Sequence, residues 1–301
     1  MSLSPTDPLP PPYDTALLVL AIIAVVVQAC NCIYTCWRLC CQITVFTLGL
    51  AIEQVLILMF TIMNICRAFR LSDIRYQQIL NIITDGFFLV GILIHVLLLL
   101  FRFRLVNQGW YSNFWDMLMI GLTLVVFTGT FATVVTCEIY QRTLPIDSAD
   151  PYPLSSAISI ANAVFALYVL LADTILSSLT YIRLRKLKSG TRSEHFDDNN
   201  RLHIRTISAM VGLVLMSWTA MIVYIFNTAS GVAETPLSRV LIQASYTTIS
   251  FHMTFACVFL ISIKRLLKGY GISVSRSAND PYNTTSVVPE QPEDLEEQVA
   301  P

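Results

Sequence analysis

The chain has 301 residues, 55% apolar and only 13% charged, with a mean hydropathy of +0.64 and 19 Lys and Arg against 20 Asp and Glu. Water-soluble domains carry roughly a quarter charged residues, so half of the expected charge is missing, which argues against a soluble enzyme and leaves nucleic-acid binding without support. The apolar residues fall into seven long blocks with short polar joints, and the expected fold class is an all-α membrane protein, a seven-transmembrane helix bundle.

Crossing the hydrocarbon core as a helix takes about 20 mostly apolar residues, and lipid offers no partner for unpaired backbone groups, which forces helices here. Seven segments meet that length: 16–37, 43–66, 79–101, 114–137, 155–182, 206–228 and 240–263, within a membrane domain at 16–268. Ahead of them, residues 1–15 are Pro-rich and expected to be disordered and extracellular. They hold no Lys or Arg, so they lack the basic start of a cleavable signal peptide, and span one is expected to be retained as an anchor. Pro10-Pro11-Pro12-Tyr13 matches a WW-domain ligand pattern that would need cytosolic access.

Polar residues recur along the spans at helical spacing. Span one aligns Ala21, Ala24, Gln28, Asn31 and Thr35, and ends near Cys40 and Cys41, candidates for palmitoylation beside Trp37 and Arg38. Span two aligns Gln42, Gly49, Glu53 and Asn64; span three, Asn81, Thr84, Asp85, Gly91 and His95. Span four spaces Asp116, Thr123, Thr130 and Cys137 by sevens, with Arg102 or Arg104 within reach of Asp116. Cys66 and Cys137 end spans two and four on the same expected side, a disulfide candidate. Span five aligns Ser155, Ser159, Asn162, Ala166, Asp173, Ser177 and Thr180. In span seven, Gln243, Thr247, Ser250 and Thr254 share one face while Ser245, Thr248 and His252 share the opposite one, so both faces turn inward only if protein surrounds this helix. The acidic tail, 269–301, is expected to be disordered and cytoplasmic. Its sequon at Asn283 is then expected to be unused.

Basic residues set the orientation. With the N-terminus outside, fourteen Lys and Arg lie on the inner side and five on the outer, so the C-terminus is expected to be cytoplasmic; the plasma membrane is the expected location, with an endomembrane as the alternative.

Ionisable groups at depth are costly and mark sites or pathways. Glu53, His95, Asp173 and His252 lie within spans that contain no Lys or Arg. The two carboxyls must therefore be protonated, hydrated, bound to a cation or paired with a histidine. Other chemistries lack their residues. All four lysines lie in loops or at a span edge, where no retinal Schiff base forms. Two membrane histidines fall short of the three histidines, or equivalent cluster, of seven-span zinc hydrolases, so no metal site is expected. No catalytic motif or cofactor motif is present, and neither enzyme activity nor a cofactor is expected.

Seven spans, an outside N-terminus, short loops and a basic segment at 183–205 resemble the plan of G-protein-coupled receptors, on topology across the whole membrane region. The family's motifs are absent: Leu100-Phe101-Arg102-Phe103-Arg104 stands at the end of span three, Ser217-Trp218-Thr219-Ala220 is not followed by proline, and span seven has no Asn-Pro-x-x-Tyr. The resemblance implies a small-molecule or lipid ligand entering from outside, with Asp85, Trp218, Tyr224 and Gln243 as contacts. It also implies a cytoplasmic partner such as a heterotrimeric G protein, read by Arg183, Arg185, Lys186 and Lys188. Glu53 in span two is also similar to the span-two glutamate of fungal lipid-translocating exporters. That alternative implies a transporter in which Glu53, His95, Asp173 and His252 relay protons or cations.

Overall fold

A computed structural model describes residues 11–68, 74–107, 113–143, 155–190, 196–229 and 236–269. Seven helices run through them: α1 (Pro11–Cys41), α2 (Val45–Ala68), α3 (Ile74–Val106), α4 (Asn113–Thr143), α5 (Ser155–Gly190), α6 (Phe196–Ala229) and α7 (Pro236–Gly269). All seven are long and apolar enough to cross a membrane, as expected of an integral multi-pass protein, and no strand occurs among the described residues.

The helices outrun the apolar segments because backbone hydrogen bonding does not stop where side chains become polar. Residues 11–15, expected to be disordered, begin α1, where Pro11 fits a first turn whose N–H groups have no intrahelical partner. The segment 183–205, expected to be a loop, is helical in most of its length, since α5 continues to Gly190 and α6 starts at Phe196. Arg183, Arg185, Lys186 and Lys188 are thus on a helical extension, not in a loop. Leu184 within it is fully buried, so the extension still packs on the bundle, while Arg185 and Lys186 are exposed and Arg183 is half-buried. The side chain of Lys188, most of residues 1–15 and the tail beyond Gly269, with its sequon, lie outside the described residues. The start of α2 is capped reciprocally: the Thr47 N–H donates to Thr44 Oγ1 at 3.1 Å and the Thr44 N–H to Thr47 Oγ1 at 2.9 Å.

Each helix packs on its chain neighbour, and α1 closes the ring against α7. Within the ring α3 also meets α5 and α7, and α7 also meets α2. This explains the two polar faces of α7. On one face Asn31 Nδ2 of α1 donates to Thr254 Oγ1 at 3.0 Å and Thr247 Oγ1 donates to the Leu20 carbonyl at 3.1 Å. On the other, Ser245 Oγ donates to the Ala220 carbonyl of α6 at 3.4 Å and His252 points into the interior. Protein lies against both polar faces, while Ile242 and Phe251 between them stay exposed. The stripe of α1 is buried along its length, from Ala21 through Ala24, Gln28 and Asn31 to Thr35. Gln28 Nε2 there donates to Gln54 Oε1 of α2 at 2.8 Å.

Interhelical hydrogen bonds in a membrane are worth about 0.6 kcal/mol on average and up to about 1.7 kcal/mol. Asn31→Ala is expected to cost an amount in that range, because it removes the bond across the α1–α7 seam and leaves the Thr254 hydroxyl only the Ser250 carbonyl of its own helix, at 3.1 Å. Unfolding titrations in bicelles with wild type and variant measure it.

The disulfide expectation is corrected. Cys66 and Cys137 are both free thiols, and among the described residues α2 and α4 do not pack on each other, because α3 packs against both. Cys40 and Cys41 are exposed at the end of α1.

Candidate functional site

Five helices each contribute one polar side chain to the middle of the bundle: Glu53 (α2), His95 (α3), Asp173 (α5), Ser217 (α6) and His252 (α7). Helical spacing places each among buried apolar neighbours one turn away. Glu53 has Leu50 and Ile57, His95 has Ile92 and Leu99, Asp173 has Leu170 and Leu176, and Ser217 has Leu213 and Met221. These apolar residues anchor the faces that turn the five polar groups toward one another.

The groups form one connected array. His95 bridges two carboxylates, with Nδ1 at 3.1 Å from Glu53 Oε1 and Nε2 at 3.3 Å from Asp173 Oδ1. Asp173 Oδ2 lies 2.8 Å from His252 Nε2 and accepts a hydrogen bond from Ser217 Oγ at 2.5 Å. The two imidazoles meet edge-on, with ring centroids 5.0 Å apart. The side chains of Glu53, His95 and Asp173 are 0% exposed and that of His252 is 5% exposed. Among the described residues α5 and α7 do not pack on each other, so Asp173 and His252 reach across the interior to meet.

Hydrogen counting restricts what this array holds. A neutral imidazole has one N–H and one lone pair, whereas both nitrogens of His95 face carboxylate oxygens. One of those contacts sets a lone pair against an oxygen unless a proton or another cation lies between them. Burial raises the stakes, because taking each ion out of water costs several kcal/mol unless opposite charge and hydrogen bonds compensate it.

The other expected site residues separate. Trp218 is 45% exposed and does not line the interior. It follows Ser217 by one residue, and the 100° step of a helix that turns Ser217 toward Asp173 turns Trp218 outward. Asp85 is half-buried on α3, Gln243 is buried on α7, and the side chain of Tyr224 lies outside the described residues. Asp116 pairs with Arg104, Nε to Oδ2 at 3.4 Å. Arg102, two residues earlier and therefore on the other side of α3, is buried, with Cζ 3.5 Å from the centroid of the Phe46 ring.

Ser217, Gln54 and Arg102 are among the buried polar residues outside the expected stripes. Ser217 carried a signal, as the one polar side chain on the buried stripe of Met210, Leu213 and Met221. Gln54 sits beside Glu53 and belongs to the α1 seam through Gln28. Arg102 had no signal, since a basic residue at a span end reads as interfacial. The expected absence of a metal site came from counting histidines. That count left out Asp173, which the fold joins to His95 and His252 in a three-residue group with ligand-type atoms all within 4.8 Å of one another.

No model of a known protein family matches the chain, and no curated protein matches it.

Proposed function

We propose that this is a seven-span carrier, not an enzyme, that moves a cation through the array of Glu53, His95, Asp173 and His252, with its N-terminus outside and its C-terminus in the cytoplasm of a plasma-membrane protein. The observation that carries the reading is the geometry of His95, held between two buried carboxylates so that the array is incomplete without a cation. Intramembrane carboxylates and histidines in contact are the usual makings of ion pathways. The array also draws on α2, α3, α5, α6 and α7, so a change in its occupancy acts on five helices at once and can shift their packing between two arrangements.

A receptor reading is favoured by one feature, the exposed Arg185 and Lys186 on the extension of α5, which offer positive charge to an acidic cytoplasmic partner such as a heterotrimeric G protein. It is weakened by Trp218, which faces away from the interior where a ligand would sit.

Flux through liposomes containing the purified protein separates the two. Wild type is expected to collapse an imposed cation or proton gradient, read by an entrapped indicator dye, and Asp173→Asn, which keeps the shape and removes the charge, is expected to reduce the rate at least about tenfold, equivalent to 1.4 kcal/mol. A wild type without flux, or a variant with unchanged flux, rejects the carrier.

A further inference from the structure

The proposed carrier leaves open which cation it takes, and the inference that follows rests on that reading and names the ion. We infer that His95, Asp173 and His252 bind a divalent first-row transition metal of the zinc type, with Glu53 orienting His95 and Ser217 orienting Asp173.

The spacing fits. Zinc holds imidazole nitrogen and carboxylate oxygen at about 2.0–2.2 Å in a tetrahedron, which sets donor atoms about 3.4 Å apart. His95 Nε2 lies 3.3 Å from Asp173 Oδ1 and His252 Nε2 lies 2.8 Å from Asp173 Oδ2, and one donor from each of the three residues falls within 4.8 Å of the others, so a turn of the carboxylate and shifts of about an ångström bring three donors to that spacing. The supporting groups fit as well. A metal-ligating histidine almost always gives its other N–H to a carboxylate or carbonyl, which fixes the tautomer and aims the lone pair at the metal. Glu53 Oε1 occupies that place on Nδ1 of His95, leaving Nε2 directed at Asp173 and the neighbouring ring of His252. Ser217 does the same service for the carboxylate ligand by donating to Oδ2.

Charge and ligand type narrow the choice of ion. Two carboxylates with two neutral histidines carry a charge of −2, and one divalent cation cancels it. Two imidazoles and one carboxylate suit zinc, iron, cobalt or nickel, whereas magnesium and calcium take oxygen ligands. Three protein ligands leave a fourth position for water or for the next station of a transfer pathway.

The test uses the full chain in lipid nanodiscs, freed of metal with a chelator and titrated with Co²⁺ while visible absorption is recorded. One equivalent is expected to give the intense bands of four-coordinate cobalt, with Zn²⁺ displacing it and Mg²⁺ failing to. His252→Ala and Asp173→Ala are expected to lose the bands, and Glu53→Gln to keep them with affinity lowered about 10–100-fold. If His252→Ala does not fold, the wild type still decides, because Zn²⁺ must raise its melting temperature and Mg²⁺ must not. Absent bands in wild type, or binding unchanged by His252→Ala, overturn the metal site. Flux lost in Asp173→Asn without metal binding overturns the metal and keeps the carrier, with the proton as its cation. Metal binding without flux overturns the carrier and keeps the site.

Discussion

Replacing His95 with leucine in the metal-free protein, where a proton completes the array, is expected to cost about 3–5 kcal/mol of bundle stability, the penalty for breaking a buried charged pair by removing one partner. His95 contacts Glu53 and Asp173 at once, so one substitution strips both carboxylates of a neighbour. The loss falls mainly on Glu53, because Asp173 keeps Ser217 and His252, while Glu53 Oε2 already lacks a hydrogen-bond partner. The double variant His95→Leu with Glu53→Gln is expected to recover part of the loss, since the amide removes the stranded charge and leaves its shape. Unfolding in bicelles followed by circular dichroism gives both values. A cost below about 1 kcal/mol for His95→Leu would mean that the carboxylates find other partners, as exposed pairs do.

The second large effect is expected at Gly212 on α6. A Cβ built there lies 2.5 Å from Cδ1 and 2.6 Å from Cε1 of Phe255 on α7, closer than real methyl groups approach a ring. Gly212→Ala is therefore expected to force the ring or the helix aside at about 1–3 kcal/mol, the range for overpacking a filled interior. Small residues let membrane helices approach in this way. Ser217 and His252 ride on the same two helices, so the wedge is also expected to weaken the hold on Asp173 and lower flux. The pair Gly212→Ala with Phe255→Leu is expected to restore both stability and flux if the clash with the ring is the cause, and thermal unfolding with liposome flux tests it.

The sequence carried the helix count and the burial of the polar stripes, because 20-residue apolar runs and 3.6-residue spacing are local properties. Glu53, His95, Asp173 and His252 stood out singly, as ionisable groups in spans without Lys or Arg. That the four belong to one relay is what the likeness of Glu53 to the exporters' span-two glutamate implies; which pairs touch was not legible, since it depends on how five helices rotate. Ser217 shows the limit: a lone serine in an apolar stripe reads as a packing residue until Asp173 is placed opposite it. Trp218 shows the converse, an aromatic residue that a family plan directs inward and that the rotation of α6 directs outward. The helical extension through Arg183 to Lys188 was not legible, because a run of charges reads as a loop, although polar side chains at a membrane boundary leave backbone hydrogen bonding undisturbed.

The claim that the array acts as one unit is tested most directly by a double-mutant cycle between its two ends. Glu53 on α2 and His252 on α7 are joined through His95 and Asp173. If the four groups form one network, Glu53→Gln and His252→Asn are expected to be non-additive, with a coupling energy of about 0.5–3 kcal/mol in bicelle unfolding. Costs that add to within about 0.3–0.5 kcal/mol would contradict the claim and leave two separate buried pairs.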